Sequence, residues 1–146
     1  MVARLAKDGY IGGIKDTHED IDHTAEVIRL TKGDISVLEG YESKIVPALA
    51  IGADGSICTI GNLIAAEVVE IYNLFKSGRI EQAREKQIDI FPLINLLATR
   101  HDMQLLKEGI KLLGHDVGDA LMPTSKVSPD IMGRVKEELR KLGKLK

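Results

Sequence analysis

Tryptophan is absent from the chain, which holds only two Phe and three Tyr. Any core must therefore be aliphatic, built from Ile, Leu, Val and Ala. A single cysteine, Cys58, excludes an internal disulfide and suits a reducing, cytoplasmic setting. Charge of one sign is missing too, since 20 Lys and Arg stand against 22 Asp and Glu for a net charge of −2. Without a basic excess to neutralise phosphates, no nucleic-acid partner is expected. No apolar run approaches the ~18 residues of a membrane helix, so no membrane partner is expected either. The first eight residues, MVARLAKD, carry charges where a signal peptide would have its apolar segment, and export is not expected. His18, His23, His101 and His115 make no metal-ligand spacing with the cysteine. Neither a metal nor another cofactor is expected.

What is present is the material of one ordinary globular domain: 146 residues, 44% hydrophobic and 29% charged. Three short apolar runs alternate with longer helical patterns in the first half. Tyr10 to Lys15 reads as a buried strand that opens onto the polar stretch Asp16 to Asp20. Ile21 to Leu30 is amphipathic and closes at Lys32-Gly33, a helix with its stop signal. Ile35 to Leu38 is the second strand, followed by a short helix over 42–51. Gly55 to Ile60 is the third strand, followed by a helix over 65–76. This strand–helix rhythm is that of a parallel sheet.

From Arg79 the rhythm becomes helical. One long pattern covers 79–97 with a kink at Pro92, another covers 105–113, and Gly114 suits a helix end. Val117 to Val127 reads as irregular, and Ser128 followed by Pro129 marks the start of a last helix ending near Gly143. The expected organisation is an α/β part over 1–78 and an all-helical part over 79–146.

Lys15 is the first chemical candidate. At the end of an apolar strand, a desolvated amine is neutral more of the time and available to attack a carbonyl. The strand's C-terminal end is also where α/β barrels carry their catalytic groups. The same position suits a lysine that snorkels to solvent. Gly12-Gly13 matches no phosphate-binding fingerprint and fits close backbone packing. Glu39-Gly40-Tyr41-Glu42 places polar groups at the end of the second strand, or forms a glycine turn and a helix start.

These segments carry a resemblance. Gly13-Ile14-Lys15-Asp16-Thr17, Leu38-Glu39-Gly40-Tyr41-Glu42, Gly52-Ala53-Asp54-Gly55-Ser56-Ile57 and Asn62 occur in an order and spacing that resembles the dihydrodipicolinate synthase/N-acetylneuraminate lyase family. The Gly-Ile-Lys-Asp-Thr form is most similar to its sugar-acid branch, which includes 2-keto-3-deoxygluconate aldolases. The resemblance continues through Lys76-Ser77-Gly78, the segment with Glu81, Ala83 and Gln87, then Lys107, Leu112-Leu113-Gly114 and Leu142-Gly143.

It implies a partial (β/α)8 TIM barrel, strands six to eight over 1–78, followed by a C-terminal all-helical domain over 79–146. It further implies a Schiff-base aldolase or lyase acting on pyruvate or another 2-keto acid. Lys15 would be the sixth-strand lysine that forms the imine. Thr17, Gly40, Glu42 and Thr59 fall where the lyase branch contacts substrate hydroxyls, and Ile57 falls beside the pyruvate pocket.

Two departures bear on this. The Gly-Thr-Thr/Ser segment that binds the keto-acid carboxylate and the fifth-strand tyrosine of the family are missing. The late Arg-x-Pro segment reads Ala120-Leu121-Met122-Pro123. The expected partners are therefore a 2-keto acid and either a second copy or a complementary N-terminal half-barrel. Without that half, the chain alone should be inactive. The other reading is a non-catalytic remnant or assembly subunit of such an enzyme.

Overall fold

Three short parallel strands organise the first part of the chain, in the spatial order β1 (Gly13–Asp16), β2 (Ser36–Glu39) and β3 (Gly55–Ser56). The computed structural model describes residues 1–98, 103–121 and 126–146. Lys15 stands beside Leu38 and Asp16 beside Glu39, while Leu38 and Glu39 stand beside Gly55 and Ser56. Helix α1 (Val2–Lys7) precedes the sheet, and α2 (Ile21–Thr31) joins β1 to β2. A 3₁₀ turn at Glu42–Lys44 and α3 (Ile45–Ala50) join β2 to β3. The chain is thus α/β with a small parallel sheet.

The remaining helices are α4 (Gly61–Lys76), α5 (Ile80–Asp89), α6 (Phe91–Ala98), α7 (Met103–Leu112) and α8 (Pro129–Lys141). The chain divides into two compact units. One contains residues 1–59 and 69–87, and the other residues 60–68 and 88–146. In the first, Val27, Val37, Ile45, Ala48, Ile71 and Ala83 are buried, an aliphatic core as the scarcity of aromatics requires. In the second, α8 packs on α6 and α7 and buries Val135 and Leu139 completely. Gly109 of α7 lets Leu63 approach closely, because a Cβ there would lie 3.1 Å from Leu63 Cδ2.

Local chemistry sets several boundaries. Asp20 caps α2 through its carboxylate, which accepts from Asp22 N at 2.9 Å. Lys32, not Gly33, closes this helix in the left-handed region at φ 52°. Ser128 caps α8, with Pro129 in its first turn.

The structure corrects four expectations. The first strand starts at Gly13 rather than Tyr10. Tyr10 N instead bonds back to Leu5 O at 2.9 Å, and the ring is 77% exposed. The third strand stops at Ser56: Ile57 N still bonds Glu39 O across the ladder, but beyond it Thr59 N is taken by Glu42 Oε1. The pattern over 79–97 is two helices divided at Ile90, so Pro92 occupies a helix start, where it has no amide to lose. Helix α1 was not expected at all. The irregular stretch and the Ala120-Leu121-Met122-Pro123 segment extend over residues 122–125, outside the described residues, as does His101.

Candidate active site

The C-terminal ends of β1, β2 and β3 bring the sequence candidates to one edge of the sheet. Lys15 and Asp16 end β1, and their side chains take opposite faces by the pleat of the strand. Asp16 is buried and Lys15 is exposed. Partial burial of Lys15 was expected and is not found. Among the described residues β1 is bonded to β2 alone, so only one side of the lysine is covered by a neighbouring strand.

Gly40 follows β2 directly and is buried. A Cβ at this position would run into Thr17 Oγ1, with Thr17 Cβ and Lys15 Cε each only 2.9 Å away. Gly40, Lys15 and Thr17 therefore pack as one group, and the missing side chain of residue 40 is what admits the lysine stem. Gly40 N donates to Asp16 O at 2.7 Å and continues the ladder past the strand ends.

Glu42 and Thr59 form a second group. Glu42 Oε1 accepts from Thr59 N at 2.6 Å, and its backbone oxygen accepts from Gln87 Nε2 at 2.9 Å. As placed here, Glu42 orders the backbone after β3. Ile57 joins through its backbone, donating to Glu39 O at 2.9 Å, and its side chain is 51% exposed.

Sequence reasoning missed a polar cluster behind Lys15, buried at Asp16 and Thr24 and open to solvent at His23. Asp16 Oδ2 accepts from Thr24 Oγ1 at 2.7 Å and from His23 Nδ1 at 3.0 Å. Burial pushes the Asp16 carboxyl up, but these two bonds and the nearby imidazoles pull harder, so it lies below the ordinary aspartate range. The His23 ring stacks on His18 with centroids 4.5 Å apart. Lys44 reaches the backbone oxygens of His18 and Glu19 and lies over the Tyr41 ring. It thereby ties the loop after β1 to the turn after β2.

Beside Asp16, Glu39 is fully buried. Its Oε1 accepts from Tyr41 N at 2.7 Å, and its Oε2 has no partner among the described residues. Burial pushes this carboxyl above the ordinary glutamate range. The one available signal was an acid at strand spacing inside an apolar run, and it reads equally as a strand end.

Asp16 gives a direct pH expectation. A carboxyl held low in the folded state contributes stability above its unfolded pKa, and that stability fades as pH falls through the folded value. Acid unfolding below about pH 4 should therefore lose part of its steepness in Asp16→Asn. The same variant should lose about 1–3 kcal/mol at neutral pH, because Thr24 and His23 lose their anionic acceptor. Urea unfolding at pH 3 to 7 measures both effects.

Comparison with known proteins agrees with this architecture. Residues 1–142 match the dihydrodipicolinate synthetase family. The chain is 30% identical over 141 residues to 4-hydroxy-tetrahydrodipicolinate synthase of Nostoc punctiforme, covering 97% of this chain and 48% of the relative. To the enzyme of the same name from Methanopyrus kandleri it is 31% identical over 144 residues, covering 98% and 48%. Among solved structures, dihydrodipicolinate synthase from Thermotoga maritima superposes with a TM-score of 0.92 at 27% identity, over 99% of this chain and 50% of that one. A prophage protein of the same family from E. coli K12, solved in complex with pyruvate, gives 0.85 at 27% identity over 97% and 50%. The chain spans about half the length of the relatives it matches.

Proposed function

Since the chain belongs to the dihydrodipicolinate synthetase family, we propose that it carries the nucleophile of a Schiff-base aldolase or lyase acting on pyruvate or another 2-keto acid. Lys15 is that nucleophile. The observation that carries the reading is the packing of Lys15 and Thr17 against side-chain-free Gly40 at the C-terminal end of parallel strands, where α/β barrels build their sites.

The Lys15 amine attacks the keto carbon, the carbonyl oxygen leaves as water, and a protonated imine remains. That imine is an electron sink for the carbanion formed as a carbon–carbon bond is made or broken. Thr17 and Gly40 would meet the substrate beside the lysine, with Glu42, Ile57 and Thr59 farther along the same edge. As placed, Glu42 acts on the substrate through the Thr59 backbone it holds.

We further propose residues 1–78 as βα units six to eight of a (β/α)8 barrel and residues 79–146 as its C-terminal helical domain, in a cytoplasmic enzyme. The relatives are about twice as long, and the carboxylate-binding and tyrosine segments of the family have no counterpart in this chain. Turnover therefore needs a complementary N-terminal half-barrel, or a second copy that completes the site. A non-catalytic remnant or assembly subunit is the second reading, favoured by the exposed Lys15 and by the edge of β1 that pairs with no strand among the described residues.

The deciding experiment is borohydride reduction in the presence of pyruvate, with the adduct mapped by mass spectrometry. Slow labelling concentrated on Lys15, without turnover, supports the nucleophile. Labelling spread evenly over the lysines makes Lys15 an ordinary surface amine and favours the assembly subunit.

A further inference from the structure

The chemistry above makes no use of Glu39, although this residue joins the ends of all three strands. Its backbone oxygen accepts from Ile57 N and Ser56 Oγ, both at 2.9 Å, at the end of β3. Its Oε1 accepts from Tyr41 N, and the adjacent Gly40 N donates to Asp16 O at the end of β1. We infer that Glu39 is a positioning residue for Lys15, holding the Gly40–Tyr41 backbone as the wall against which the lysine stem and Thr17 pack. The consequence for imine formation rests on the Schiff-base reading; the consequence for the geometry around Lys15 does not.

Burial, spacing and charge support this. The residue is completely enclosed, so its carboxyl cannot exchange the Tyr41 amide for water. The bond to Tyr41 N closes a tight loop around Gly40, where a Cβ would lie 2.9 Å from Lys15 Cε. A shift of a few tenths of an ångström in this backbone is therefore felt at the lysine. The facing charged groups are Asp16 from β1, in register with Glu39, and Lys44 from the turn after β2. From α2, His23 and Thr24 are engaged by Asp16. The Ser56 hydroxyl of β3 and the Ile57 amide just after it bond the Glu39 backbone oxygen.

Burial pushes the Glu39 carboxyl up, and the Asp16 charge adds to this, against the Tyr41 and Gly40 amides and Lys44. A carboxyl raised in the folded state contributes stability at low pH that is lost as pH rises through its folded pKa. On the alkaline side a second anion would stand beside Asp16 without a partner for its Oε2, and the 40–41 backbone would loosen.

The experiment compares the wild-type chain with Glu39→Gln and Glu39→Ala. It reads hydrogen exchange at the Tyr41 amide, corrected for intrinsic rates, and acetic anhydride acylation of Lys15 relative to exposed Lys7. Borohydride trapping with pyruvate is read in parallel. Alanine should lower Tyr41 protection about tenfold, the equilibrium factor of one net hydrogen bond, and change the Lys15-to-Lys7 ratio. Glutamine keeps the acceptor and should restore both, with protection that stays flat where the wild type declines as pH rises above the ordinary glutamate range.

Wild-type protection and Lys15 reactivity in the alanine variant would overturn the inference. If alanine unfolds the chain, seen as exchange at Val37 as well, the glutamine comparison decides. Identical pH dependence in glutamine and wild type then overturns it, and a flattened profile supports it. Absence of trapping in every chain, with these Tyr41 and Lys15 effects intact, removes the Schiff-base reading and leaves the positioning role standing.

Discussion

Arginine in place of Lys15 is expected to abolish the pyruvate-dependent, borohydride-reducible adduct at residue 15. The guanidinium keeps the positive charge and most of the reach, but it does not deprotonate near neutral pH and forms no imine. Because Lys15 is exposed, the exchange should alter stability by no more than about 0.5 kcal/mol. Urea unfolding of the arginine variant supplies that control. The exposure also sets the rate. Positioning can supply about 7–11 kcal/mol in a complete site, and an amine open to solvent on one side realises little of it. The adduct on the wild-type chain should accordingly form slowly, at high pyruvate concentration. A pyruvate adduct of unchanged yield in the arginine variant would place the reactive amine elsewhere.

The second large effect is expected from Gly40→Val. The buried position leaves no room for a Cβ, since Thr17 and Lys15 Cε already occupy that space. Overpacking of this kind costs about 1–3 kcal/mol, and a branched side chain adds two methyl groups to the conflict. The stem of Lys15 and the backbone at Thr17 must move apart. Stability should fall by that amount in urea unfolding, and trapping at Lys15 should fall at least tenfold in chains that remain folded. Gly12→Ala is the control, because nothing lies within 4 Å of a Cβ at that position. If valine at 40 were tolerated on both measures, Lys15 and Gly40 would not form one site.

Much of the architecture was legible because local chemistry sets it. Asp20 and Ser128-Pro129 announce the starts of α2 and α8 through their caps. The apolar runs around Ile14, Val37 and Gly55 fall at the three strands. The third strand was drawn too long, because an apolar run cannot reveal that the Glu42 carboxylate claims the amide of Thr59. Helix α1 was missed because residues 2–7 are too few to show a period.

At the site, the motif located Lys15, Thr17 and Gly40 together, but not the exposure of the lysine. That depends on what covers the second side of β1, information that residues 10–16 do not contain. The Asp16–Thr24–His23 layer was hidden for a different reason. Its partners lie seven and eight residues away across a turn, where no short-range pattern links them. Glu39 was read as a strand end, and only the fold puts its side chain inside.

In the proposed mechanism Lys15 is the nucleophile of a site that further barrel strands complete. The most direct measurement is the rate of Lys15-localised trapping, with pyruvate and borohydride, with and without the separately produced N-terminal half of the Thermotoga maritima relative. The chain alone should give a slow, Lys15-selective adduct that rises at least tenfold when that half is added, with turnover appearing only in the mixture. Labelling spread evenly over the lysines, unchanged by the added half although the two chains co-sediment, would contradict it.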